Sequence, residues 1–326
     1  MTRVLFGILA VIVGVGGSAL LFWALNWLVD RLPDGTADRL RPYAFAGPAL
    51  LLVGVYLIYP ALRSIRDSFY GDRSEEFVGL DNYRQLVEDA SLRSTLINNV
   101  LWVVLVPTFC LVFGLAMAVL ADRLSGRWES ISKSVIFMPM AISAVGASTI
   151  WLFVYNWRPS GREQIGLLNA IWTGVGNEPV SWLQVSEGRL NTLLLIIIMV
   201  WTMTGLAMVL LSAAIKGVPE DTIEAAQMDG ATESQVFWRV ILPQIRSTIT
   251  VVLTTIGIAV VKVFDIVFVM TGGNFDSDVI ANRFVKELFD FRRFGQASAI
   301  VVFMMVIMIP IIVLNIRNFR EQEALR

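Results

Sequence analysis

Thr192-Leu193-Leu194-Leu195-Ile196-Ile197-Ile198-Met199-Val200-Trp201-Thr202-Met203-Thr204-Gly205-Leu206-Ala207-Met208-Val209-Leu210-Leu211-Ser212-Ala213-Ala214-Ile215 runs for 24 residues without a charge. About 20 mostly apolar residues cross a hydrocarbon layer roughly 30 Å thick. In lipid every backbone N–H and C=O must be paired within the segment, so such a run is a helix. Barrel strands span with about 10 residues, half this length. Six more stretches of this kind lie near 4–29, 43–62, 97–121, 135–155, 248–270 and 297–316. The sequence therefore predicts an all-α membrane protein, a polytopic bundle of about seven transmembrane helices.

Composition agrees. Hydrophobic residues make up 56% of the 326 and charged residues 16%, against about 45–50% and about 25% in average soluble chains. Mean hydropathy is +0.67. A net charge of −1 gives no reason to expect nucleic acid. There is no histidine, which removes histidine triads, histidine-ligated metals and histidine proton relays. The lone cysteine, Cys110, allows no internal disulfide or cysteine metal cluster and reads as a small core residue. No metal site is expected.

The first stretch is too long for a signal-peptide core, and no A-x-A-like cleavage site follows it. It reads as an added N-terminal helix over 1–30. A charged cytoplasmic linker, 31–42, separates it from a transmembrane domain over 43–320, and 321–326 form a cytoplasmic tail. Twelve Lys/Arg fall in the 68 residues of 30–42, 122–134, 216–247 and 317–326, and twelve in the 96 residues of 63–96, 156–191 and 271–296. The denser set is read as cytoplasmic, which puts the N-terminus outside and the C-terminus inside. The outer segments are short. Within them 81–90 reads as an amphipathic helix with Tyr83, Leu86, Val87 and Ala90 on its apolar face. Trp157, Trp172 and Trp182 are either interfacial anchors or a surface for a sugar or a binding protein. Asn98, Asn99 and Asn315 are read as sitting at helix ends.

One polar segment has a pattern of its own: Lys216-Gly217-Val218-Pro219-Glu220-Asp221-Thr222-Ile223-Glu224-Ala225-Ala226-Gln227-Met228-Asp229-Gly230-Ala231-Thr232-Glu233-Ser234-Gln235-Val236-Phe237-Trp238-Arg239-Val240-Ile241-Leu242-Pro243. Pro219, Glu220 and Asp221 suit a first helical turn. Gly230 suits the left-handed residue after a helix. Thr232 and Gln235 form a capping box for a second helix, whose apolar stripe is Val236, Phe237, Val240 and Ile241. Pro243 ends or bends it. The prediction is a helix–turn–helix with one apolar face.

This segment resembles the EAA loop of the membrane permeases of ATP-binding-cassette (ABC) importers. The matching residues are Glu224, Ala225 and Ala226, then Gly230, then Val240, Leu242 and Pro243. Val240 stands where that family more often has Ile. Asp229 and Ala231 fit the carbohydrate-importer subgroup. Residues 77–83, Phe-Val-Gly-Leu-Asp-Asn-Tyr, and Lys262-Val263-Phe264-Asp265 followed by Thr271-Gly272-Gly273 are similar to maltose-type sugar permeases. Asn274-Phe275-Asp276 replaces the Gly-Pro often found there, and with 279–283 looks most like α-glucoside permeases. The resemblance covers roughly 43–320.

It implies a six-helix type I ABC importer permease core behind the added helix. It also implies a second homologous permease, two ATPase subunits that bind ATP and Mg, an extracytoplasmic sugar-binding protein and a carbohydrate substrate. The setting implied is the inner membrane of a prokaryote. No cofactor is expected on this chain. It has no Gly-x-x-x-x-Gly-Lys-Ser/Thr stretch, and none of its four lysines follows a glycine. Coupling is implied at 216–246, with Glu224 facing a basic ATPase residue, Ala225 and Ala226 allowing close approach, and Leu242-Pro243 joining the loop to the next span.

Charged residues inside a span are costly and face a cavity or the bundle interior. Lys262 and Asp265, three apart, are read as sharing a helix face. They are either a structural pair or part of the sugar path. Trp201 with Thr202 and Thr204 is either packing or a platform with hydroxyl partners, and Asn274 joins the candidate path. The rival reading is a secondary transporter driven by an ion gradient, which leaves the EAA loop unexplained.

Overall fold

The computed structural model describes residues 2–73 and 75–324; 325 and 326 of the expected tail, and the side chain of Asn315, lie outside the described residues. The chain divides into two units, Met1–Arg66 and Asp67–Arg326. The first unit holds α1 (Thr2–Val29) and all but the last residue of α2 (Gly35–Asp67), and neither helix buries its apolar window within the chain. Much of the segment read as a linker is thus helical. A wide turn at Gly54–Ile58, closed by the Tyr59 N–H donating to the Gly54 carbonyl five residues back, directly precedes Pro60. Proline cannot donate to the carbonyl four residues back, and the wider ring adjusts the backbone just ahead of it.

The second unit begins with α3 (Asp81–Glu88) and α4 (Ala90–Asp122). Next come α5 (Arg127–Phe137), α6 (Ala144–Val154), α7 (Leu167–Gly174) and α8 (Leu190–Lys216). The loop helices α9 (Glu220–Met228) and α10 (Glu233–Gln244) follow. The unit closes with α11 (Arg246–Val261), α12 (Asp265–Met270), α13 (Ile280–Val285) and α14 (Phe294–Ala324). No β-strand forms among the described residues.

Every apolar stretch lands on helix, but two are not the straight spans expected. The stretch 135–155 is bent by 100° between α5 and α6. Pro139 opens a tight turn at Met138–Ala141, and Ser143 caps α6 by accepting from the Gly146 N–H at 3.1 Å. The stretch 248–270 breaks into α11 and α12 across residues 262–264, where Phe264 leaves helical geometry (φ −138°, ψ −59°).

The core is a seam between α4 and α8. Trp102, Val106 and Cys110 are buried against Leu195, Ile198, Met208 and Leu211. Small residues set the approach, as at many membrane helix crossings. A Cβ on Gly114 would lie 2.6 Å from the Ala207 Cβ, and one on Gly205 2.6 Å from the Ile136 carbonyl oxygen.

The polar segments sort to the two ends of α4, whose 33 residues extend about 50 Å at 1.5 Å each. At its N-terminal end Arg189 reaches Ser94, Asn191 reaches Phe275 and Arg283 reaches Asp89. At its C-terminal end Lys133 reaches Asp122 and Arg123 reaches Glu233. Within this unit the grouping is the one read from the alternation of spans.

Candidate functional site

The loop between α8 and α11 folds as a helix–turn–helix. Pro219 precedes α9, and Glu220 and Asp221 occupy its first turn. Gly230 takes φ +81°, its N–H donates to the Gln227 carbonyl at 2.9 Å, and the Ala231 N–H donates to the Ala226 carbonyl at 3.0 Å. This double closure satisfies carbonyls that the helix end would leave bare. The capping box forms: the Thr232 Oγ1 accepts from the Gln235 N–H, and the Gln235 Oε1 accepts from the Thr232 N–H at 2.8 Å. A second wide turn, Phe237–Ile241, ends at Leu242 just before Pro243, repeating the order seen before Pro60. The junction to α11 is a 66° bend.

The loop has two unlike faces. Inward, Ile223, Val236, Phe237 and Ile241 line an apolar groove of about 990 Å³ with Leu115 and Val119 of α4. Outward, Glu224, Ala225 and Asp229 are exposed, and Met228 is 89% exposed. Ala226 is half-buried, as are Val240 and Leu242, while Pro243 is exposed. The exposed edge is therefore acidic and small-sided around a protruding Met228.

The residues read as a sugar path are not gathered into one polar cluster. Lys262 closes α11 and Asp265 opens α12, so the break between them overturns the shared helix face, and no ion pair joins them among the described residues. Each charge instead suits its own helix end, a cation at a C-terminus and an anion at an N-terminus. Both are exposed in the chain, next to Phe264 and Phe268, whose rings stack at 5.1 Å. The Thr202 and Thr204 hydroxyls donate back to the Met199 and Val200 carbonyls. The Trp201 ring packs edge-on against Trp151 at 5.9 Å. Asn274 lies in the turn after α12, where its amide donates to the Thr271 carbonyl at 2.8 Å.

Sequence reasoning missed the function of the buried amides at the other end of α4. Asn98 lies inside α4 rather than at its end, and its Nδ2 donates to the carbonyls of Asp276 (2.6 Å) and Asp278 (2.9 Å). Asn99 accepts from the Ile280 N–H at 2.8 Å, and Asn191 donates to the Phe275 carbonyl at 2.6 Å. Together they pin the irregular backbone after α12, where Phe275 and Asp276 take positive φ. On α3 the inward residue is Asn82, which holds the Ser68 and Tyr70 carbonyls, while Val87, expected on the apolar face, is 75% exposed. In the loop 156–191, Trp172 and Trp182 meet edge to face at 5.6 Å. The available signal was an amide in a span's outer turns.

Asn98→Leu should lower the thermal unfolding midpoint of the detergent-solubilised protein, because each stranded buried polar group costs about 1–3 kcal/mol. Thr108→Ala, at an exposed hydroxyl bonded only to its own helix, should leave the midpoint unchanged in the same fluorescence melt.

The fold is thus a helical bundle with two broken spans and an exposed helix pair set between α8 and α11. Residues 110–318 match the binding-protein-dependent transport system inner membrane component family. The chain belongs to that family. It is the permease subunit of an ABC importer, not itself an enzyme, and the ion-gradient alternative falls away. Among its relatives is the osmoprotective compounds uptake permease protein GgtC of Synechocystis sp., 52% identical over 282 residues, 86% of this chain and 100% of that one. The alpha-glucoside transport system permease protein AglF of Rhizobium meliloti is 43% identical over 338 residues, 99% of each chain. A chain of the crystallised bacterial ABC transporter involved in import of the acidic polysaccharide alginate superposes with a TM-score of 0.74 at 20% identity, over 85% of this chain and 94% of that one. This last likeness is one of fold.

Proposed function

We propose that the importer carries an α-glucoside or another di- or oligosaccharide, and that this chain forms the path with a second homologous permease. The observation that carries the substrate class is the 43% identity to an alpha-glucoside permease over 99% of both chains. Two ATPase subunits, holding ATP and Mg, dock on Glu224, Ala225, Ala226, Asp229 and Gly230, and Val240, Leu242 and Pro243 pass the motion to α11. An extracytoplasmic sugar-binding protein delivers the substrate. The N-terminus lies outside and the C-terminus in the cytoplasm, in keeping with the Lys/Arg bias. Lys262, Phe264, Asp265 and Phe268 line the path. Charges exposed at membrane depth cannot face lipid cheaply, and non-helical backbone is tolerated there only against protein or a water-filled cavity.

Everted vesicles are unsuited to an importer, so the test uses proteoliposomes with ATP inside and the binding protein outside. Uptake of labelled trehalose, maltose or sucrose should follow internal ATP and ignore ionophores. Failure of all three, with uptake of another solute class, would overturn the substrate reading.

The first helix is an addition to this machinery. A relative aligned over its whole length accounts for 86% of this chain, so a permease of this family can be shorter by about that difference. Deleting residues 1–35 should leave ATP-driven import intact in the same assay. A deleted protein that inserts normally and transports nothing would make that helix part of the mechanism.

A further inference from the structure

Three helix ends meet beside the coupling loop around one ammonium group. The Lys133 Nζ of α5 lies 2.5 Å from the Asp122 Oδ1 at the end of α4 and 2.6 Å from the Glu129 Oε1 at the start of α5. It also donates to the Ser212 Oγ near the end of α8 at 2.5 Å. Lys216, the last residue of α8, pairs with Glu129 and lies 3.8 Å from the Asp122 Oδ1, and the Ser212 Oγ donates to the same oxygen at 2.8 Å. Two cations thus balance two carboxylates. The side chains of Lys133, Asp122 and Glu129 are only 20%, 15% and 22% exposed.

The cluster brackets the loop. The chain leaves for α9 at Lys216, and it returns through Glu233, which pairs at 3.2 Å with Arg123, the neighbour of Asp122. Covalently the loop moves only α8 and α11. The cluster adds α4 and α5. Beyond its 100° bend α5 continues into α6, which packs against α12 just past the break at 262–264. A line of contact therefore runs from the docking loop to α12, the helix that carries Asp265 and Phe268.

We propose that Lys133 is a positioning residue for energy coupling, clasping α4, α5 and α8 so that displacement of the loop by the ATPases moves α12. The proposal rests on the docking function assigned to the loop. It does not depend on which sugar is carried.

The test uses the full transporter, with its second permease and ATPases, carrying Phe268→Cys and Cys110→Ala as the parent. Maleimide labelling at position 268 is compared before and after trapping with ATP, Mg and vanadate, alongside ATP hydrolysis. The parent should change its labelling rate on trapping. Adding Lys133→Met should keep assembly and hydrolysis but reduce that change roughly tenfold, within the usual range of coupling between sites. Lys133→Arg, which keeps the charge, should restore it. If Lys133→Met assembles poorly, Ser212→Ala removes one partner of the ammonium without stranding a charge and should show a smaller loss of the same kind. A full change in Lys133→Met, or in Ser212→Ala where that variant carries the test, would overturn the clasp. Gly230→Pro separates the two ideas: loss there with full coupling in Lys133→Met defeats the clasp alone, whereas full coupling in Gly230→Pro defeats the docking assignment beneath it.

Discussion

Gly230→Pro should insert at normal levels yet import about tenfold less sugar or worse, a loss on the scale of coupling between distant sites. The native φ of +81° is closed to proline, whose ring holds φ near −65°. The substitution also deletes the N–H that donates to the Gln227 carbonyl at 2.9 Å. Both changes open the turn between α9 and α10, so the exposed edge of Glu224, Asp229 and Met228 leaves its place while the spans stay packed. Glu224→Ala is the milder companion. Its carboxylate is exposed and has no ion-pair partner among the described residues, so its removal should weaken the ATPase complex without altering thermal stability. Measuring uptake, hydrolysis and co-purification of the ATPases separates a detached loop from an unfolded one. Full uptake by the Gly230→Pro protein would sink the docking assignment.

Replacing Asp265 should nearly abolish import, and removing Lys262 as well should not rescue it. A buried pair broken on one side costs about 3–5 kcal/mol, and an apolar double replacement recovers much of that. The break between α11 and α12 separates these two charges, one on each helix end, so the losses should add instead of cancelling. Asp265 also stabilises the positive start of a helix only six residues long. The experiment compares Lys262→Met, Asp265→Leu and the double variant, scored separately for complex yield and sugar uptake. Recovery of yield in the double variant would restore the paired reading. Normal uptake in all three would remove both residues from the path.

The helical spans and the loop were legible because each rests on a local rule. Long uncharged runs must be helices in lipid, and Thr232 with Gln235 announces a capped start wherever it lies. The break at 262–264 was not legible. Val263 and Phe264 are ordinary helix residues in an apolar run, and only packing against α6 and α8 reveals that the backbone turns there. The bend before α6 left a clearer trace in Pro139 and Ser143, but a proline inside a membrane helix is common enough to be read through. Lys133 was hidden for a different reason. Its partners Asp122 and Ser212 lie 11 and 79 positions away, and no spacing rule joins residues across three helices.

The bundle end that holds the start of α4 is fastened by asparagine amides beside ion pairs such as Arg283–Asp89 and Lys286–Asp278. Asn82, Asn98, Asn99, Asn169 and Asn191 each hold irregular backbone through neutral amide bonds. An amide has no proton to gain or lose across the biological range, and its bonds carry no net charge for dissolved ions to screen. Those amide contacts therefore persist in acid or brine, where the ion pairs beside them weaken. The turn at Phe275 and Asp276 is thus clamped by bonds indifferent to the medium, whatever becomes of the charged pairs around it.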